Sequence, residues 1–317
     1  ALNLIGSRAL VGADDAFTPM VLRAGGGAAN VLLNAVFIFG LDMGVAGAGL
    51  ATVLSNVGVT AAFTVGIIRG HLPAIGRLPI RVSPWGQYAH RGTVNDIVEI
   101  GLPALGRNAV WMTARFPMFA VLDLFGSTVV AAYVISRRIW GLMNTPGWGF
   151  GLAASSLAGQ ALGVDDESVA ESYGREIIRF ALATYLVFAV VTAAFARPIV
   201  LAFVADPGDP SVSVAVGLVY AACLAILAQG VSRTTAGVLD ASGDTRWPFY
   251  SQALGMFGGA IPLAYLGATT ELGLWGVYLA FFAETFIPAG INYYRFTTGN
   301  WKAISREYRP ERPVGPD

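Results

Sequence analysis

Glu284 lies near the middle of the apolar run 273–295 and is the deepest carboxylate in the chain. A carboxylate withdrawn from water can carry a proton near neutral pH. Glu284 is therefore a candidate for proton coupling or cation binding, with a structural pair to an intramembrane arginine as the alternative. Asn30 and Asn34 stand four apart, on one helix face, and Thr52 lies on the next helix. Polar groups in a membrane face a cavity or another helix. At the least these three form an interhelical clamp, worth about 0.6–2 kcal/mol per contact. Arg107, Asn108 and Arg115 sit on one apolar run, and Arg137 and Arg138 on the next. Arginine does not deprotonate, so these side chains must snorkel, pair or line water. They suit acidic or lipid-like groups better than cations. Trp111, Trp140, Trp148, Phe116, Phe119, Phe150 and Tyr133 could form an aromatic wall for cationic aromatic compounds, or simply pack.

Several chemistries are excluded. Lys302 is the single lysine, between Trp301 and Ala303, so no G-K-[ST] phosphate loop exists. Cys223 stands alone, and His71 and His90 are too far apart for a helical metal pair. Neither an enzyme nor a cofactor is expected. With twenty basic and twenty acidic residues the net charge is zero, so nucleic acid is not an expected partner.

The elements that must position these residues are membrane helices. Only 13% of residues are charged, against about 25% in a soluble domain, and mean hydropathy is +0.61. A soluble enzyme of this size could not cover its surface. Apolar runs predict eight spans at 19–40, 44–68, 97–122, 128–160, 177–196, 212–238, 248–268 and 273–295. Residues 1–11 read as the tail of an earlier helix. Pro146, among glycines, predicts a kink in the fourth span, either lining a cavity or serving packing alone. With the 41–43 turn outside, fourteen Arg/Lys fall in inside segments, Arg309, Arg312 and Arg233 among them, and only Arg197 outside. That bias puts the C-terminus and the 69–93 loop in the cytoplasm. Arg77, Arg81 and Arg91 would meet anionic lipid there. The acidic run Asp165, Asp166, Glu167 and Glu171 reads as a solvated turn, with Asp165 or Asp166 capping the next helix.

Residues 10–70 repeat as 239–299 at a constant offset of 229. Identities include Asp15/Asp244, Pro19/Pro248, Gly26/Gly255, Gly44/Gly273, Gly47/Gly276 and Gly70/Gly299. Pro suits a first helical turn, and Gly44 and Gly47 should let the next helix pack closely. Six spans separate the copies, so the unit is six helices in one orientation, related by an axis along the membrane normal. This predicts an all-α polytopic membrane protein whose parent has twelve helices in two lobes. Its expected segments are 1–68 for the end of a first lobe, 69–93 for a linker, 94–302 for a complete second lobe and 303–317 for a tail.

Arg138, Pro146, Gly149, Gly159, Gln160 and Gly163 resemble the pattern of the multidrug and toxic compound extrusion (MATE) transporters. So do 13–19 and Gly243-Asp244-Thr245-Arg246, similar to the family's G-D-T-R-x-P turn. Residues 44–52 resemble its G-V-x-G-A-A-x-A-T segment, and Gly299-Asn300-Trp301-Lys302 its closing G-R-W-K. The resemblance covers 8–302. It implies a monomeric multi-pass transporter of the cytoplasmic membrane, lacking four helices here, which exports small organic cations or aromatics. Alternating access of two lobes, driven by a proton or sodium gradient, would power it, with substrate between the lobes. It implies that Asn30, Asn34 and Thr52 form a cation-responsive cluster. Members often carry Asp at position 34; Asn cannot titrate, but could offer oxygen to sodium with Asn30. The family's second-lobe carboxylates fall at Trp111 and Gln229. Trp111, Arg115, Arg138, Gln160 and Gln229 are the substrate-cavity candidates. A lipid-linked oligosaccharide flippase shares this architecture, and intramembrane arginines suit its phosphate. The discriminating observation is whether Arg107 and Arg115 face the central cavity. A non-transporting receptor or scaffold is a further alternative, although no soluble sensing domain is visible.

Overall fold

The computed structural model describes residues 2–73, 75–86 and 91–308. His90, Arg309, Arg312 and most of the 303–317 tail lie outside them. The chain forms two compact units, 1–90 and 91–317.

The first unit holds α1 (Leu2–Gly12), α2 (Phe17–Asn34), which runs into a π-helical turn at Ala35–Gly40, and α3 (Gly44–Arg69). Both α1 and α2 pack on α3. The segment expected as a linker carries a small hairpin, β1 (His71–Leu72) and β2 (Gly76–Arg77), with His71 opposite Arg77. Leu72 and Leu78 join Leu10 and Phe63 in one buried cluster, so apolar burial holds this loop to the unit.

The second unit is built from α4 (Arg91–Thr113), α5 (Arg115–Asp123), α6 (Ser127–Met143), α7 (Thr145–Gly163), α8 (Glu167–Ala194), α9 (Ala196–Leu201) and α10 (Ser211–Ala241). Then come α11 (Arg246–Ala253), a π-helical run Leu254–Ala260, α12 (Ile261–Thr269), α13 (Leu274–Thr297) and the short α14 (Asn300–Glu307). Helix α10 is buried along most of its length, as a central helix must be. It packs against α6, α7, α8 and α13.

Among the described residues five helices are long and apolar enough to cross a membrane: 17–40, 44–69, 167–194, 211–241 and 274–297. The other three expected spans are not uniform rods. Run 97–122 breaks at Ala114, run 128–160 at Asn144, and run 248–268 carries the π-helical segment. The breaks at Ala114, Asn144 and Phe195 precede Pro117, Pro146 and Pro198 by two or three residues. A proline leaves the carbonyl four residues back without its helical N–H, here that of Thr113, Leu142 or Ala194. Pro146 therefore sits in the first turn of α7, and the break itself is at Asn144. Pro103 and Pro288 are accommodated inside α4 and α13.

The repeat is written in the backbone. Positive φ recurs at offset 229 at Asp14 and Gly243 (66° and 85°), Gly44 and Gly273 (54° and 56°), and Gly70 and Gly299 (69° and 70°). The amides of Asp15 and Asp244 each bond the carbonyl five residues earlier at 2.9 Å. Gly44 turns out to serve this left-handed turn, since a Cβ there would meet nothing within 4 Å. Gly47 does serve packing: its Cβ would lie 3.0 Å from the Phe37 backbone.

The Gly243-Asp244-Thr245-Arg246 turn fastens three helices. Asp244 pairs with Arg295 on α13 at 2.6 Å, Thr245 donates to the Ile100 carbonyl on α4 at 2.8 Å, and Arg246 pairs with Glu99 at 2.6 Å. The acidic run after α7 is likewise more than a solvated turn. Asp166 caps α8 by accepting from the Val169 amide at 3.0 Å. Glu167 pairs with Arg306 at 2.7 Å and Glu171 with Lys302 at 2.6 Å, which ties α14 to the start of α8.

Candidate functional site

The second unit forms an open cavity of about 790 Å³ between α4, α5, α6, α7, α10 and α11. The proline-associated breaks shape it. Ala114 ends α4 just beyond Trp111, and Asn144 separates α6 from α7 at the cavity wall. Five arginines line it: Arg107, Arg115, Arg137, Arg138 and Arg233. Two have carboxylate partners. Arg107 grips Asp240 through both nitrogens, at 3.1 and 2.7 Å. Arg137 donates three bonds of 3.0 Å to Glu284, which is buried on α13. Among the described residues no carboxylate pairs with Arg115, Arg138 or Arg233. Five guanidiniums less two carboxylates leaves three positive charges.

Aromatic rings share the wall, and guanidiniums already cover Trp111, Tyr133 and Trp148. Arg115 and Arg137 each lie 5.1 Å from the Trp111 ring centre. Arg137 is also 5.7 Å from Tyr133 and 5.5 Å from Phe281, and Arg233 is 5.5 Å from Trp148. Of the expected aromatic wall, Trp111, Phe119, Tyr133, Trp140 and Trp148 line the cavity. Phe116 is exposed outside it, and Phe150 packs against Tyr185.

The substrate-cavity candidates divide. Trp111, Arg115 and Arg138 line the cavity, while Gln160 and Gln229 do not. Gln229 is buried in α10, one turn before the lining residue Arg233. Gln160 lies near the far end of α7, some four turns past the break that opens onto the cavity. Arg233, Asn144 and Gln252 were missed. Arg233 falls inside the expected span 212–238 although the inside tally counts it, and it stands within α10. Asn144 accepts from the buried Tyr185 hydroxyl at 3.5 Å.

The first-unit cluster does assemble. The Asn30 amide donates to Ser55 at 3.2 Å and to Thr52 at 3.5 Å, and Asn34 donates to the Asn30 side-chain oxygen at 3.0 Å. Ser55 is an unforeseen member. Asn30, Thr52 and Ser55, but not Asn34, border a cleft of about 440 Å³ that Arg23 also lines and no carboxylate does. Neutral oxygens beside a guanidinium suit sodium poorly, and none of the cluster's side chains can titrate to carry a proton.

The MatE family profile matches residues 103–266, just over half of the chain. The chain belongs to the MatE family. Among MATE relatives, a probable multidrug resistance protein NorM from Thermotoga maritima is 23% identical over 303 residues, covering 93% of this chain and 63% of its own length. One of the same name from Bradyrhizobium diazoefficiens is 26% identical over 280 residues, covering 84% and 58%. The chain thus spans about six-tenths of these curated relatives' length. A crystal structure of a MATE protein in the straight conformation superposes with a TM-score of 0.83 at 22% identity, covering 96% of this chain and 67% of that one. The fold is that of a MATE transporter, an all-α membrane protein.

Proposed function

We propose that this MATE chain serves secondary active export of aromatic organic compounds across the cytoplasmic membrane by alternating access. The observation that carries the reading is the 790 Å³ cavity, deep enough for a drug-sized ligand and walled by tryptophans and charged side chains. The aromatic half of the expected substrate class is retained. The cationic half is set aside, because three guanidiniums without carboxylate partners oppose a cation. Asn30, Asn34, Thr52 and Ser55 act as the clamp between α2 and α3. Glu284 is the group on which a proton gradient would act. Coupling at Glu284 must move Arg137 as well, because three 3.0 Å bonds hold the pair and Arg137 lines the cavity, so the paired and unpaired forms differ in the charge of the cavity wall. An ion that binds the two forms unequally biases the conformational equilibrium by that difference.

The test uses the full-length protein in proteoliposomes, with a proton gradient and then a sodium gradient imposed on a fluorescent aromatic substrate. Proton-driven movement that survives sodium removal and loses its gradient dependence in Glu284→Gln, with Glu284→Asp active, supports the reading. Gradient-dependent movement unchanged in Glu284→Gln would place coupling elsewhere. The second reading is a flippase for a phosphate-bearing lipid, favoured by Arg107 and Arg115 both lining the cavity. It predicts lipid translocation with no movement of the soluble substrate.

A further inference from the structure

We infer that the second-unit cavity is a binding site for an oxyanion carried on an aromatic or apolar body, a carboxylate, sulfonate or phosphate. The inference rests on the transporter reading for its role, but the site stands on its own geometry. Charge is the first support: Arg115, Arg138 and Arg233 line the cavity with no carboxylate partner among the described residues. The second is independent of charge counting. Four buried side-chain nitrogen or oxygen atoms lack a hydrogen-bond partner among the described residues, and three belong to cavity-lining residues: Trp140 Nε1, Arg233 Nε and Gln252 Nε2. All three are donors. These donors are sealed from water behind the cavity surface, so they add to the positive polarity of the wall rather than contact a ligand directly. The third concerns the rings. An organic cation would gain from aromatic faces, but Trp111, Tyr133 and Trp148 already face the chain's own guanidiniums. A cation would have to displace those groups, whereas an anion would join them, with its apolar body against Met112, Met118 and Phe119.

The test is energy transfer from the cavity tryptophans to two probes sharing one fluorophore, dansylglycine (anionic) and dansylcadaverine (cationic). The full-length protein is held in phosphatidylcholine nanodiscs. Saturable binding of dansylglycine at least tenfold tighter than dansylcadaverine is expected. Arg115→Gln and Arg138→Gln should each weaken it about tenfold, the loss of one charge-assisted hydrogen bond, and Arg138→Lys should weaken it less. Both positions are exposed to the cavity, so the substitutions spare the packed core. Displacement by benzoate identifies a soluble oxyanion, and displacement by dioctanoyl phosphatidic acid alone a lipid one. Either supports the shared chemistry. Equal or tighter binding of dansylcadaverine, or dansylglycine binding untouched in the Arg115→Gln/Arg138→Gln double variant, overturns the inference. Arginine-dependent binding without gradient-driven movement would sink the transporter reading and keep the anion site. Gradient-driven movement of the cation alone would do the reverse.

Discussion

Glu284 and Arg137 neutralise one another inside the helix bundle, and neither tolerates loss of the other. Removing one partner of a buried pair leaves an uncompensated charge and costs about 3–5 kcal/mol. Glu284→Gln is expected to lower the thermal unfolding temperature in detergent, and Arg137→Gln/Glu284→Gln to recover part of the loss. An unchanged midpoint in the single variant would show that the pair contributes no stability. Asp166 acts on a smaller scale. The Val169 amide that it caps holds its carboxyl below the usual carboxylate range. A depressed folded-state value means that the cap's contribution is present above the unfolded value and is lost as pH falls through the folded one. Asp166→Asn keeps the cap acceptor and removes the charge, so unfolding midpoints of the two proteins should converge as pH drops below about 4. Parallel pH profiles would contradict this. Asp166 was foreseeable because an acidic residue ahead of an apolar run is a capping signal. The Glu284–Arg137 pair was foreseen only as one of two alternatives, since sequence does not reveal which groups meet across 147 positions.

Helices in this protein approach where glycine permits. A Cβ on Gly276 would lie 2.8 Å from the Gly267 amide nitrogen on α12, and one on Gly230 would lie 2.6 Å from the Tyr185 ring. Gly276→Val therefore overpacks the α12–α13 crossing. It is expected to cost about 1–3 kcal/mol, read as a lower unfolding midpoint, with Gly290→Val as the unaffected control because its Cβ would meet open space. Gly44→Ala tests a different cause. With φ at +54°, an L side chain pays about 1–2 kcal/mol for the left-handed conformation, although no neighbour is touched. Equal midpoints for Gly44→Ala and the wild type would argue against strain at this turn. The repeat motifs made these glycines visible, but only the backbone separates the turn glycine from the packing glycine.

At the scale of the whole molecule, the basic residues predict a single orientation. In a Cys223→Ser background, a cysteine replacing Lys302 should react with an impermeant maleimide only from the cytoplasmic face, and one replacing Asp42 or Glu271 only from outside. The reverse labelling would invert the topology. Composition and hydropathy sufficed for a polytopic helical membrane protein, because apolar runs near 20 residues have no other stable home. The offset of 229 disclosed the duplicated hairpin, since turn geometry demands glycine or a short polar residue at fixed places. Trp111, Arg115 and Arg138 were legible as cavity candidates because charge within a span is rare and costly. Arg233, Asn144 and Gln252 were not, and Gln160 and Gln229 lie outside this lining, because which face of a helix meets a cavity depends on the breaks at Ala114 and Asn144 and on neighbours far away in sequence. Hydropathy counts charges along a chain and cannot pair them. Tertiary packing matched two arginines to Asp240 and Glu284, left three facing the cavity without carboxylates, and so decided the polarity of the site.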